Sequence, residues 1–166
     1  MRKKTLNAQR PTTNAELKRS ATPVIEWTAD GVRVNELPNA NYGVAREARH
    51  YDLEHRLLDF AVSIVELTES FPNSRAGNHV AGQLLRCGTS PLSNHGEVEA
   101  AESRKDFIHK LRICLKELRE TRRWLRLAGR LKKLGPLAAL PVCLSEIDEL
   151  IRIFAASIRT AEKNAK

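Results

Sequence analysis

The sequence predicts an all-α chain, an antiparallel up-down four-helix bundle with an N-terminal extension, and three observations predict it. Four stretches carry apolar residues at steps of three and four, the repeat that gathers them on one face of a helix. Aromatic residues are only 5% of the 166, so a core has to come mainly from Leu, Ile, Val and Ala. Short connections containing Pro or Gly separate the stretches, and short links make successive helices antiparallel neighbours. At this length one domain with a substantial core is expected, divided as a tail over 1–44 and a bundle over 45–166.

Residues 1–44 are polar, with Val24, Ile25, Trp27, Val32 and Val34 as the apolar minority and Arg2, Lys3, Lys4, Arg10, Lys18 and Arg19 as a basic group. This composition favours a solvated, largely disordered segment. The narrower alternative is a hairpin of Val24 to Thr28 and Val32 to Glu36 around an Asp30-Gly31 turn. A lone two-stranded hairpin is marginal in water, so it would need a neighbour, with Trp27 as its anchor.

The first helix is expected from about Ala45 or Asp52 to Ser70, with Leu53, Leu57, Phe60 or Ala61, Ile64 and Leu67 or Thr68 turned inward. Pro72 stops it, because proline lacks the amide hydrogen a helix interior needs. Ser74 or Asn73 can cap the second helix, whose apolar face includes Val80, Leu84 and Leu85. Gly88 and Pro91 predict a kink or short break before helix resumes from Leu92 to Ala101. Ser103 is placed to cap the third helix, and Asp106 puts negative charge in its first turn, where the helix dipole favours it. Gly129 and Gly135-Pro136 mark its end; the fourth helix begins near Pro136 or Pro141 and runs to about Lys163, with Ile147, Leu150 or Ile151, Phe154, Ile158 and Ala161 inward.

The third helix is the most sharply divided. Phe107, Leu111, Cys114, Leu118, Thr121, Leu125 and Ala128 form a coiled-coil-like seam. Lys105, His109, Arg112, Lys116, Arg119, Arg123, Arg126 and Arg130 repeat the same steps about 140° away, taking ~100° per residue. Residues 102–133 hold 12 Lys or Arg against 4 Asp or Glu, a net of +8 that equals the net charge of the whole chain. The rest therefore sums to zero, as +5 over 1–22, −5 over 23–101 and neutrality over 134–166. The ordinary reading of such a stripe is a solvated face with Glu117 and Glu120 supplying local pairs. The functional reading is a surface that tracks phosphates, favoured because one sign of charge runs unbroken from Arg112 to Arg130.

Other classes find little support. The chain lacks a run of 18 apolar residues, and its basic N-terminus is not followed by an apolar segment, so the expectation is a cytoplasmic protein without a membrane span or secretory signal. Cys87, Cys114 and Cys143 form no CxxC and lie in apolar helical surroundings, so they read as small core residues. The histidines at 50, 55, 79, 95 and 109 are scattered without zinc-ligand spacing, and no metal or other cofactor is expected. With no nucleophile beside a predicted base and no Gly-rich phosphate loop, the chain does not read as an enzyme.

The runs Gln83-Leu84-Leu85-Arg86, Thr89-Ser90-Pro91-Leu92-Ser93-Asn94-His95-Gly96-Glu97 and Ser103-Arg104-Lys105-Asp106-Phe107 are arranged in a known way. They resemble a bacterial four-helix-bundle family that includes the proteins encoded in 23S rRNA intervening sequences and the accessory variability determinant of diversity-generating retroelements. Ser90, Asn94, Glu97, Ser103, Asp106 and Phe107 match its pattern without a gap, and Lys116 to Thr121 resembles a later region of that pattern. The chain departs from the pattern at Pro91, Leu92, His95, Gly96 and Val98. The resemblance covers about 50–163 and implies an antiparallel bundle that assembles as a ring-like homopentamer. In the retroelement branch it implies a basic partner of a reverse transcriptase and RNA. Asn94 and Glu97, in what reads as a helix-start segment after Pro91, are assigned to capping or subunit contacts ahead of any catalytic role.

The function expected is a non-catalytic, oligomeric nucleic-acid-binding accessory protein, with RNA favoured and Arg112, Lys116, Arg119, Arg123, Arg126 and Arg130 on the phosphates. Trp124, near the stripe, is expected to pack and not to stack on bases. The alternative is a structural adaptor whose basic helix meets an acidic protein surface, including the −5 region of a neighbouring subunit.

Overall fold

Four helices bury the faces that their spacing marks. The computed structural model describes residues 24–28, 31–35 and 53–163. Two strands, β1 (Val24–Thr28) and β2 (Gly31–Asn35), precede α1 (Leu53–Glu69), α2 (Arg75–Glu99), α3 (Arg104–Ala128) and α4 (Leu140–Lys163), with a 3₁₀ turn at Lys132–Leu134. The helices form an all-α up-down bundle in which α3 packs between α2 and α4.

In α1 all of Leu53, Leu57, Phe60, Ala61, Ile64, Leu67 and Thr68 are buried, so each expected either-or position contributes both residues. A start at Ala45 lies outside the described residues. Of the two cap candidates for α2, Ser74 takes the position, its Oγ accepting from the Gly77 amide at 3.0 Å. Val80, Leu84 and Cys87 are buried and Leu85 half-buried. The short break expected at Gly88 and Pro91 does not form: α2 runs unbroken through both.

The reason lies in packing. A Cβ at Gly88 would lie 2.8 Å from Ile64 Cγ2, so glycine lets α2 approach α1 closely and does not end the helix. Pro91 is buried and costs the ladder one donor, a local loss that tertiary burial of the helix outweighs. Gly82 is exposed, and a methyl group added there would meet nothing within 4 Å, so only helix propensity acts on it. Gly82→Ala therefore raises stability by up to about 1 kcal/mol. Gly88→Ala gains the same propensity but must displace a buried β-branched side chain, at about 1–3 kcal/mol, and has a net destabilising effect. Parallel thermal melts check the opposite signs.

Every seam residue of α3 is buried, and Leu115 joins them. Gly129 caps α3 with ordinary helical φ, whereas the chain reverses at Gly135, where φ is 73° and a side chain would be strained. α4 starts at Leu140, so Pro141 sits in its first turn, where a missing amide hydrogen costs little. Leu150 is buried and Ile151 half-buried; Cys143, Ile153 and Ser157 complete the inward face.

Of the two readings of the N-terminal extension, the hairpin is the one observed at 24–35, and the solvated-linker reading does not hold there. Its register pairs Thr28 with Gly31, so Gly31 belongs to β2 and not to the turn, and β2 ends at Asn35. Ile25 is the anchor, fully buried in the helical core. Its amide donates to Ser157 Oγ at 2.6 Å, and Ser157 donates in turn to Ile153 O at 2.9 Å. Trp27 lies half-buried with its ring 5.8 Å from Phe107. The helical core thus supplies the neighbour that an isolated hairpin lacks. The basic group from Arg2 to Arg19 lies outside the described residues.

Candidate nucleic-acid interface

The seam decides which way α3 faces. With Phe107, Leu111, Cys114, Leu118 and Leu125 all fully buried, the helix has no freedom to roll. The opposite positions are then forced outward: Lys105, His109, Arg112, Lys116, Arg119, Arg123, Arg126 and Arg130 are all exposed. Ser103 starts the rod, its Oγ accepting from the Asp106 amide at 3.2 Å, while Asp106 Oδ2 accepts from the Glu102 amide at 3.2 Å. From Arg112 to Arg126, its last member within α3, the stripe spans roughly 21 Å at ~1.5 Å per residue.

Its members are not equivalent. Arg112 Nη2 lies 2.6 Å from Glu162 Oε1 of α4, and Lys116 Nζ reaches Glu117 only at 4.0 Å. Arg119, Arg123, Arg126 and Arg130 make no ion pair among the described residues, and Glu120 supplies none of the local pairs that the ordinary reading requires. The cations beside the stripe are neutralised instead. Arg122 Nη1 is 3.0 Å from Asp148, and Lys110 Nζ is 3.0 Å from Asp106 and 3.7 Å from Glu97. Hydrogen bonding to Lys110 holds the Asp106 carboxyl below its usual range. A lowered folded-state value adds stability above the unfolded carboxylate range and loses it as pH falls.

The fold brings Arg112, Lys116, Arg119 and Arg123 together around one groove of about 490 Å³, floored by Leu115 and by Ile158 of α4. Arg126 continues the stripe along α3 beyond that groove, and Arg130 lies in the turn just past the helix end at Ala128, exposed as well. Trp124 packs as expected, half-buried with its ring edge-on to His79 at 5.7 Å, and offers no open platform for bases. The contribution of Ile158 and Glu162 to this groove was not legible in the sequence, because only docking sets which residues of α4 meet α3.

The residues that match the family pattern occupy a different place. Asn94 Nδ2 donates to Ser90 Oγ at 3.0 Å, one turn earlier on α2, and Glu97 faces Lys110. Because α2 is continuous, Asn94 and Glu97 sit inside a helix and not at its start, so the capping role expected of them is not the one they fill. Asn94, Glu97, His109, Lys110 and Ile113 border a concavity of about 250 Å³. Ser103, Asp106 and Phe107 supply the cap, the first-turn charge and a core ring of α3.

The three cysteines are buried and free. Burial pushes the Cys114 thiol up to about 12 and raises those of Cys87 and Cys143, which keeps all three protonated and unreactive at neutral pH. His95 is buried, with Nδ1 3.8 Å from Glu99 and its ring edge-on to Phe154. Among the described residues no group of three or more His, Cys, Asp or Glu could hold a metal ion, and no helix is long and apolar enough to cross a membrane.

The family model of the 23S rRNA-intervening sequence protein matches residues 49–156. Among solved structures, a protein of unknown function from the S23 ribosomal protein family of Bacteroides thetaiotaomicron superposes with a TM-score of 0.58 at 34% identity. The match covers 64% of this chain and 95% of that one. No curated protein matches.

Proposed function

The chain belongs to the 23S rRNA-intervening sequence protein family, and from that premise we propose that it is a non-catalytic, basic, oligomeric accessory protein that binds nucleic acid, RNA in preference. Arg112, Lys116, Arg119, Arg123, Arg126 and Arg130 contact phosphates. The observation that carries this reading is the line of four guanidiniums without carboxylate partners among the described residues, next to cations that do have them. A guanidinium presents a planar fork of donors that suits a phosphate, and an unpaired one gives up only water to make the contact. Phosphate contacts carry little sequence information, so binding is weakly specific.

Assembly has its own support. Leu58, Val62 and Val65 are 44%, 48% and 40% exposed at steps of four and three on one face of α1, an apolar stripe turned to solvent. Burial against a second copy removes it from water, and a homopentamer repeats the basic stripe five times. In a retroelement setting the partner of such a ring is a reverse transcriptase, and a reverse-transcriptase gene beside this one is the observation that favours it. The second reading, an adaptor for acidic protein surfaces, draws on Arg112 and Arg122, which already hold carboxylates from α4.

Light scattering coupled to size exclusion tests the proposal, with and without a mixed RNA ligand. Six phosphate contacts at a slope of about −0.7 each predict an affinity loss of about 10⁴-fold between ~50 and ~500 mM salt. The expected result is a salt-resistant oligomer that captures RNA only at low salt. An oligomer that ignores RNA at both salts, or dissociates as salt rises, favours the adaptor.

A further inference from the structure

We infer that the groove between α3 and α4 takes a single polynucleotide strand, with Glu162 as the carboxylate that the strand displaces from Arg112. The inference rests on the phosphate-surface reading above and specifies its ligand. Along α3 the unpaired cations form one file: Arg122 on one flank is held by Asp148 and Lys110 on the other by Asp106, so a second backbone would find no second row of free charge on that helix.

Spacing points the same way. Stripe residues advance by three or four positions, about 4.5 or 6 Å of helix. A DNA duplex winds each strand's phosphates round a rod that advances about 3.4 Å per base pair and stays stiff over ~150 base pairs. Such a rod meets a straight helix at one crossing only. A single strand extends to match the cations and lays sugar and base edges over Leu115 and Ile158, the apolar floor.

Glu162 marks where a phosphate fits. Its Oε1 accepts from Arg112 Nη2 at 2.6 Å, the role a phosphodiester oxygen would take. Both side chains are well exposed, at 43% and 62%, and an exposed ion pair contributes little, so exchange for a phosphate is cheap. Until it is displaced, the carboxylate repels the strand and withholds Arg112.

Fluorescence anisotropy of the full chain tests this, with a labelled ~15-nucleotide mixed-sequence RNA and its blunt duplex at ~100 mM salt. The single strand is expected to bind about tenfold more tightly, and Glu162→Gln to tighten it about threefold, with a smaller gain for the duplex. Circular dichroism confirms that the variant is folded. Loss of either difference, with RNA still bound, overturns the inference and leaves the proposed function standing. Failure to bind either RNA at ~50 mM salt overturns both. Displacement of the strand by polyglutamate as readily as by unlabelled RNA assigns the groove to acidic protein and also overturns it.

Discussion

Replacing Arg119, Arg123 and Arg126 together with Glu lowers RNA affinity by about 100-fold or more at ~50 mM salt, with helix content and assembly size unchanged. All three side chains are exposed and make no ion pair among the described residues, so the bundle loses no internal contact. Three of six proposed phosphate contacts disappear, and three carboxylates now repel the backbone they replace. The slope of log affinity against log salt falls from about −4 to about −2 or less, since each lost phosphate removes ~0.7. The slope matters more than the affinity, because it counts contacts. If the variant dissociates the oligomer instead, the stripe is consumed in self-assembly and the adaptor reading replaces this one.

Phe107→Ala is expected to have the largest effect on the fold. The ring is fully buried on the α3 seam and also meets Trp27 of the hairpin. Truncating a buried Phe costs about 3–5 kcal/mol through lost transfer energy and the cavity left behind. That is a large share of the ~5–15 kcal/mol that holds a typical domain folded. At ~2–4 °C per kcal/mol for a chain of this size, the melting temperature falls by about 10 °C. Because Trp27 packs on this ring, its fluorescence shifts to the red in the folded variant, reporting loosening of the hairpin. A melt that stays within about 2 °C of the parent would mean that the seam is not the axis of the core.

These two variants probe opposite sides of one helix, and both sides were legible in the sequence. Steps of three and four residues fix angular position on an α-helix whatever surrounds it. The seam from Phe107 to Ala128 is therefore buried and the stripe from Lys105 to Arg130 exposed. The Ser74 and Ser103 caps were legible for the same reason, being local chemistry between a hydroxyl and an amide three residues on. Where sequence reading went astray, a distant partner was involved. Gly88 has the signature of a breaker, but Ile64 on another helix makes it a point of close approach. The hairpin is too short to stand alone, and residues far along the chain, Ser157 and Phe107 among them, hold it in place.

The sequence by itself determined four amphipathic helices, their inward faces and a basic stripe on the third, because each depends on periodicity and near-neighbour chemistry. Tertiary structure alone decided which cations in and beside that stripe are free. Charge counting cannot separate Arg122, held by Asp148, from Arg123, which has no such partner among the described residues, since an ion pair depends on where α4 lies against α3. Docking of α4 also brings Ile158 and Glu162 to the stripe and turns a charged helix face into a groove.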